Sequence, residues 1–341
     1  MILRKPAYYD RFRCIAAQCP DSCCKDWEVV VDPESAKYYR ELPGQLGDAL
    51  RQVLTDWEDG SALMTIQDGR CPMWRADGLC RIQADLGHDA LCKTCREFPR
   101  LTHDYGSFRE LGLELSCPEA ARLILSGADC AILTETIPGG EPGDYEEEDM
   151  AILLQTREQA LALLDAPSRP VGQTLALLLF FGSHAQSLLD GMDVADFDPD
   201  AALDAAFSLA KGASPLPLRD FFRELEILTP AWQQRLDAGN EPGLWSESYR
   251  CLARYFVQRY WLQAVSDFDL MGRVKLGVIL CLLTKDLGGD LLQTAQLCSK
   301  EIENNADNVD ALLDAAYTRP AFTDDRLLGL LLNAPHHKFP L

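Results

Sequence analysis

A chain of 341 residues with 47% hydrophobic and 25% charged side chains has enough apolar material for a soluble globular protein with a real core. Its size removes any need for disulfides or metals merely to complete that core, so its 13 cysteines call for a separate account. A net charge of −21 argues against binding along a phosphate backbone, and no nucleic-acid partner is expected.

The N-terminus, MILRKPAYYD, is charged by residue 4 and lacks the apolar run of a secretory signal. The longest apolar stretch lies in TLALLLFFGSH from Thr174 and is too short to span a bilayer. We therefore expect a cytoplasmic protein without membrane contact. Disulfides rarely persist there, and clustered cysteines read as metal ligands.

In chain order, Glu28 to Val31 reads as a short strand. Asp32-Pro33 then reads as an N-cap and first helical position, opening a helix to about Leu42. Ala62 to Ile66 reads as a second short strand. Gly87 to Phe98 reads as one short helix stopped by Pro99. Leu111, Leu113 and Leu115 alternate, as in a half-buried strand. Ser116-Cys117-Pro118-Glu119 has the form of a capping box, with a helix running on to Ser126 and ended by Gly127.

Beyond residue 145 the pattern is helical. It predicts helices over about 145–165, 171–190, 199–210, 217–226, 230–238, 245–265, 270–287, 290–304, 308–316 and 323–333, with Gly and Pro between them. Ten cysteines lie within residues 14–130, and only Cys251, Cys281 and Cys298 lie beyond. The segment from Ile137 to Asp149, IPGGEPGDYEEED, reads as a linker. We thus expect a cysteine-cluster metal or iron–sulfur region over 1–136, an acidic Gly/Pro linker over 137–149 and a helical domain over 150–341. The fold class is mainly α, with an irregular cysteine-rich N-terminal region that carries short strands.

The cysteines are spaced Cys14-x4-Cys19-x3-Cys23-Cys24, then Cys71-x8-Cys80-x11-Cys92-x2-Cys95-x21-Cys117. Thiolates are the soft ligands preferred by zinc and iron–sulfur clusters. Closely spaced ligands fix one ion at small entropic cost, and distant ones tie a region together. Cys117 is placed at a predicted helix N-terminus, where unpaired N–H groups favour thiolate. Four thiolates complete one site, so this set implies two centres, or one centre with spare buried thiols. Cys92, Cys130, Cys251, Cys281 and Cys298 are read singly as core thiols. His88 and His103 are read as surface groups, with a mixed site as the alternative. His336 and His337 are placed in a loose C-terminal tail.

RFRCIAAQCPDSCCKDWEVVVD (Arg11 to Asp32), CPMWRADGLCRI (Cys71 to Ile82), LGHDALCKTCREFPR (Leu86 to Arg100) and LELSCPEAARLIL (Leu113 to Leu125) together resemble the flagellin lysine-N-methylase (FliB) family. That family lies within a wider group of cysteine-cluster proteins regarded as zinc or iron chelators. The resemblance covers about a third of the chain. By motif, Cys14, Cys19, Cys23, Cys24, Cys71, Cys80, Cys95 and Cys117 fall at the family's cysteine positions, and Cys92 is an extra. The resemblance implies transfer of a methyl group from S-adenosylmethionine to lysine ε-amino groups of flagellin, with an iron–sulfur (4Fe-4S) or zinc centre. Two alternatives stand beside it, a non-enzymatic zinc- or iron-binding protein and an iron–sulfur redox protein.

The sequence has no glycine-rich strand–turn–helix fingerprint of a Rossmann-type methyltransferase. It also lacks the Cys-x3-Cys-x2-Cys of radical S-adenosylmethionine enzymes, since Cys19 opens Cys-x3-Cys-Cys instead. The donor site and catalytic residues are therefore not located by motif. Acidic and aromatic residues of Trp245 to Trp261 and Asp267 to Asp269 are candidates for holding the lysine amine.

Overall fold

The computed structural model describes residues 1–332 apart from 26, 129, 213 and 215. His336 and His337, and the last residue of the helix expected over 323–333, lie outside the described residues. The chain is mainly α, with short strands confined to its N-terminal part.

Strand β1 (Ile2–Pro6) opens the chain, and β2 (Val29–Val31) follows the first cysteine loop. Val29 and Val31 are buried and Val30 is exposed, the period-2 alternation of a half-covered strand. Helices α1 (Pro33–Glu41) and α2 (Gly44–Val53) lead to β3 (Leu54–Asp56) and β4 (Ala62–Met64). The order β2-β4-β3 makes a small antiparallel sheet. Asp32 caps α1 as expected, its Oδ1 accepting from Ser35 N at 3.0 Å with Pro33 in the first turn. Its other oxygen accepts from Lys93 N at 2.8 Å, so one carboxylate serves two helix starts.

That second bond bears on the helix expected from Gly87 to Phe98. Beyond α3 (Arg81–Leu86), the segment instead divides into a 3-10 turn at His88–Ala90 and α4 (Lys93–Glu97). Leu91 and Cys92 are extended between that turn and α4. The Ala90 carbonyl accepts from Tyr39 OH, and Lys93 N–H goes to Asp32, so neither group serves a continuous helix.

Strands β5 (Arg100–Asp104) and β6 (Phe108–Leu113) form a hairpin, α5 spans Pro118–Leu125, and β7 spans Ile132–Thr136. The second sheet runs β5-β6-β1-β7, with β1 parallel to β6 and the other pairs antiparallel. The capping box expected at Ser116 does not form. Ser116 Oγ donates to Glu114 at 2.8 Å, Glu119 pairs with Arg122, and Cys117 occupies the N-cap ahead of Pro118.

The remainder is helical: α6 (Glu147–Asp165), α7 (Val171–Leu189), α8 (Pro199–Ala210), α9 (Leu218–Glu224), α10 (Pro230–Asp237), α11 (Glu247–Tyr260), α12 (Leu270–Leu287), α13 (Leu291–Ile302), α14 (Ala306–Thr318) and α15 (Asp324–Leu332). A 3-10 turn over Trp261–Val265 closes the segment expected as helix to 265. Helix α12 is apolar almost all round and buried almost all along, as a central core helix must be. Among the described residues no helix is long and apolar enough to cross a membrane.

Buried apolar side chains fall into two clusters. A small one gathers Val29, Val31, Tyr39, Leu50, Met64, Met73, Ile82, Leu91 and Cys92. A large one is built on α6, α7, α11 and α12, and it reaches back to Tyr8, Phe12, Phe108, Leu113, Leu115 and α5. The four-stranded sheet and α5 thus share the helical core, whereas residues 29–95 have their own.

Behind α5 a buried polar group organises α11 and the end of α13. The Glu303 carboxylate is fully buried and accepts from Tyr260 OH at 2.8 Å and Tyr255 OH at 3.0 Å, with Arg259 Nε at 3.2 Å. Burial, then the Glu303 charge, pushes both tyrosine hydroxyls well above their ordinary range. Substituting Glu303→Gln leaves the Arg259 guanidinium buried without its counter-charge. We expect a loss of about 3–5 kcal/mol, read as a fall in the urea midpoint at unchanged slope. A midpoint within error of wild type would show that the carboxylate carries no such weight.

Candidate metal centre

The first cysteine loop leaves the large core at Phe12 and returns to the small one at Val29. Few apolar side chains hold it between those points, so polar ties set its course. Cys19 N–H donates to Ala16 O at 3.0 Å, and Cys24 N–H to Ser22 Oγ at 3.1 Å. Cys71 N–H donates to Cys24 O at 2.7 Å, which joins the first cysteine loop to the second. Trp27 Nε1 donates to Cys23 O at 2.8 Å.

Asp21 anchors the loop to the helical core. Its carboxylate takes Lys25 at 2.8 Å, Gln296 Nε2 at 3.2 Å and Lys300 Nζ at 3.3 Å, the last two from α13. Gln296 also donates to Ser116 O at 2.7 Å, beside Cys117. Burial pulls the Asp21 carboxyl upward, but Lys25 and Lys300 outweigh it and hold it below the usual carboxylate range. Asp21 was not singled out from sequence, although it lies inside Cys-Pro-Asp-Ser-Cys-Cys. An acid between cysteines gives no sign there of a partner some 280 positions away.

Three cysteines take the N-caps of helices: Cys80 for α3, Cys92 for α4 and Cys117 for α5. None closes a full capping hydrogen bond. First-turn N–H groups nonetheless favour each thiolate, from Ile82 and Gln83 at Cys80, from Cys95 at Cys92, and from Glu119 and Ala120 at Cys117.

A cavity of about 410 Å³ opens between the two cores. Cys14, Cys19, Cys23, Cys24, Cys80, Cys95 and Cys117 all line it, with Trp27 and Trp74 among its walls and Arg13, Arg96, Arg100 and Lys300 as its cations. Cys71 is not in the wall. Its thiol lies beneath, 3.4 Å from the Met64 sulfur, within electrostatic reach of Cys80, Cys92 and Cys23. Cys92 is buried in the small core directly against Cys95. Cys281 and Cys298 are buried in the helical core, and Cys130 and Cys251 line a separate cleft. His88 reaches the cysteine cavity and His103 does not.

Six of these thiols, Cys19, Cys23, Cys71, Cys80, Cys95 and Cys117, resist ionisation as they stand. Burial pushes Cys71 to about 11 and Cys117 to about 12, and raises Cys19 and Cys80. Contact with Cys24, then burial, raises Cys23; contact with Cys92 raises Cys95 while lowering Cys92. Crowded sulfurs cannot all carry charge unless a cation joins them. Among the described residues no group of three or more Cys, His, Asp or Glu side chains is gathered tightly enough to hold a metal ion. The donor set is therefore of the right chemistry for zinc or an iron–sulfur cluster, presented on one cavity, without a closed coordination shell.

The chain is 34% identical to a lysine-N-methylase of Salmonella typhimurium (strain LT2) over 139 residues, which is 38% of this chain and 34% of that protein. It is 33% identical to a lysine-N-methylase of Salmonella choleraesuis over 142 residues, with the same coverage. It thus spans about a third of the length of those two relatives. A third relative, the flagellar biosynthetic protein FliU of Salmonella muenchen, is 33% identical over 139 residues, which is 38% of this chain and 81% of FliU. No family model matches, and no solved structure matches. The match to FliU spans most of that protein. The chain belongs to the family of FliU and the lysine-N-methylases.

Proposed function

We propose that this protein methylates lysine side chains of flagellin, with S-adenosylmethionine as donor and a thiolate-ligated iron–sulfur or zinc centre at the cysteine cavity. The likeness to proteins named lysine-N-methylase carries the reaction, and the name of FliU points to a flagellar substrate. The seven cysteines on one cavity support the centre.

In the reaction a neutral lysine amine attacks the sulfonium methyl carbon. A C–N bond forms, the S–CH3 bond breaks, and its electron pair stays on sulfur as the thioether of S-adenosylhomocysteine. The ammonium proton leaves before attack, since the protonated amine has no lone pair. The protein must align the two groups and exclude water. Cys14, Cys19, Cys23, Cys24, Cys80, Cys95 and Cys117 are the residues that would hold the centre, with Cys71 beneath them. When bound, it supplies positive charge that stabilises the thiolates and cross-links the two cysteine loops to α5. Trp27 and Trp74 shield this wall, and Asp21 fixes the first loop against α13.

Metal ligation and folding are coupled in such sites. In Cys23→Ser and Cys80→Ser we expect metal content, measured by elemental analysis of anaerobically purified protein, to fall by more than about half, with reduced soluble yield. Cys281→Ser, in the helical core, should keep full metal. Full metal and normal melting in both cavity variants would remove the ligand assignment.

The activity is tested by incubating metal-replete protein with methyl-labelled S-adenosylmethionine and purified flagellin. Label on flagellin lysines is the expected result. Its absence, with metal present, would leave a metal-binding protein without this activity. A brown preparation that bleaches on reduction distinguishes an iron–sulfur cluster from zinc, which has no redox chemistry.

A further inference from the structure

A second cavity, of about 250 Å³, lies between the four-stranded sheet and helices α6 and α11. Strand β5 connects the two sites along the chain. Arg100 lines the cysteine cavity, and Leu101 and His103 line this one.

The sheet presents an unusual face here. His103, Glu110, Arg4 and Thr134 are register partners across β5, β6, β1 and β7, and all four line the cavity. A sheet face covered by helices is normally apolar, so a polar row across all four strands needs a reason. From α6, Arg157 clamps Glu110 with two bonds of 2.6 Å. From α11 come Gln258 and Arg259, the latter held by Glu303.

Most of these charges are already paired. Lys5 is held by Asp10 and Glu135, at 2.9 and 3.0 Å. Two groups are not satisfied: His103 Nε2 and Gln258 Nε2 are buried without a hydrogen-bond partner among the described residues. Burying such a group is unfavourable unless something else bonds to it. Arg4 lies over the Phe108 ring at 4.9 Å and 4.0 Å from Glu110, with no close carboxylate bond to it, and about a quarter of its side chain is exposed. Burial, reinforced by Arg259, lowers the His103 pKa and keeps the ring neutral, with one acceptor nitrogen. Glu158 is exposed at the mouth, and Leu101, Leu111 and Leu161 supply apolar wall. The cavity thus offers donors, acceptors, both signs of charge and an apolar surface within one small volume.

Resting on the methylase reading, we infer that this second cavity receives the amino-acid end of the methyl donor. Its carboxylate meets Arg4 and the Gln258 amide N–H. Its ammonium meets the acceptors at Glu158 and His103. The short apolar arm to sulfur lies against the leucines. The chemistry recognised is an α-amino-acid zwitterion on a thioether or sulfonium arm, which either S-adenosylmethionine or free methionine would present.

The test is calorimetric titration of the metal-replete protein with S-adenosylhomocysteine, methionine and adenosine. S-adenosylhomocysteine should bind, with methionine at least tenfold weaker. Arg4→Met and Gln258→Leu should each weaken S-adenosylhomocysteine at least tenfold without loss of metal. Since a cavity variant can misfold, hydrogen exchange on the unaltered protein gives a second reading. On adding S-adenosylhomocysteine, protection should rise in residues 100–113 and 250–260. Protection confined to residues 14–24 and 71–95 would place the ligand at the cysteines and overturn the inference. So would binding unchanged in both variants, or methionine binding as tightly as S-adenosylhomocysteine. If flagellin is methylated while any of these holds, the assignment of this cavity alone has failed. If flagellin is never methylated and S-adenosylhomocysteine never binds, the methylase reading has failed and this inference with it.

Discussion

Asp21 is the tie on which the cysteine region depends. The chain builds two apolar cores, and the first cysteine loop crosses from one to the other with little apolar surface of its own. Hydrophobic burial cannot fix such a loop, because it is non-directional and the loop has little to bury. A carboxylate between Lys25, Lys300 and Gln296 can, because its partners are few and geometrically specific. Gln296 then extends the same contact to the backbone at Ser116, so Cys19, Cys23 and Cys117 are referenced to one helix.

The arrangement explains why the sulfur chemistry sits between cores. Within a core, a thiol is a small hydrophobe, as Cys281 is in α12. At the junction, thiols from residues 14–24, 80, 95 and 117 meet around open volume, with arginines from both sides. A bound ion there would join pieces of chain that the apolar effect alone leaves separate. The Arg259–Glu303–Tyr255–Tyr260 group stands on the helical side of the same region and keeps α11 and α13 in fixed relation.

Much of this was legible in the sequence, for identifiable reasons. The helices past residue 145 follow from apolar-rich runs of helical length bounded by Gly and Pro, and Asp32-Pro33 gave away α1 because capping is a local event. Local reading failed where a distant group competed for the backbone. The helix expected over 87–98 breaks because Asp32 takes the Lys93 N–H from 61 positions away. The capping box at Ser116 fails because Glu114 and Arg122 draw its two members apart. The density of cysteines pointed to the first cavity. The polar row His103–Glu110–Arg4–Thr134 was invisible, since it exists only once β1 pairs with strands a hundred residues later.

The N-cap cysteines have one more consequence. A sulfur is a weak acceptor, so α3 and α4 begin poorly sealed. They are also only six and five residues long, too short to persist on their own. Their order is borrowed from Asp32, from Tyr39 and from whatever engages the sulfurs. This stretch therefore depends more on side-chain ties than on its own helical hydrogen bonds. Whatever engages the sulfurs of Cys80, Cys92 and Cys95 therefore acts on the ends of α3 and α4 as well.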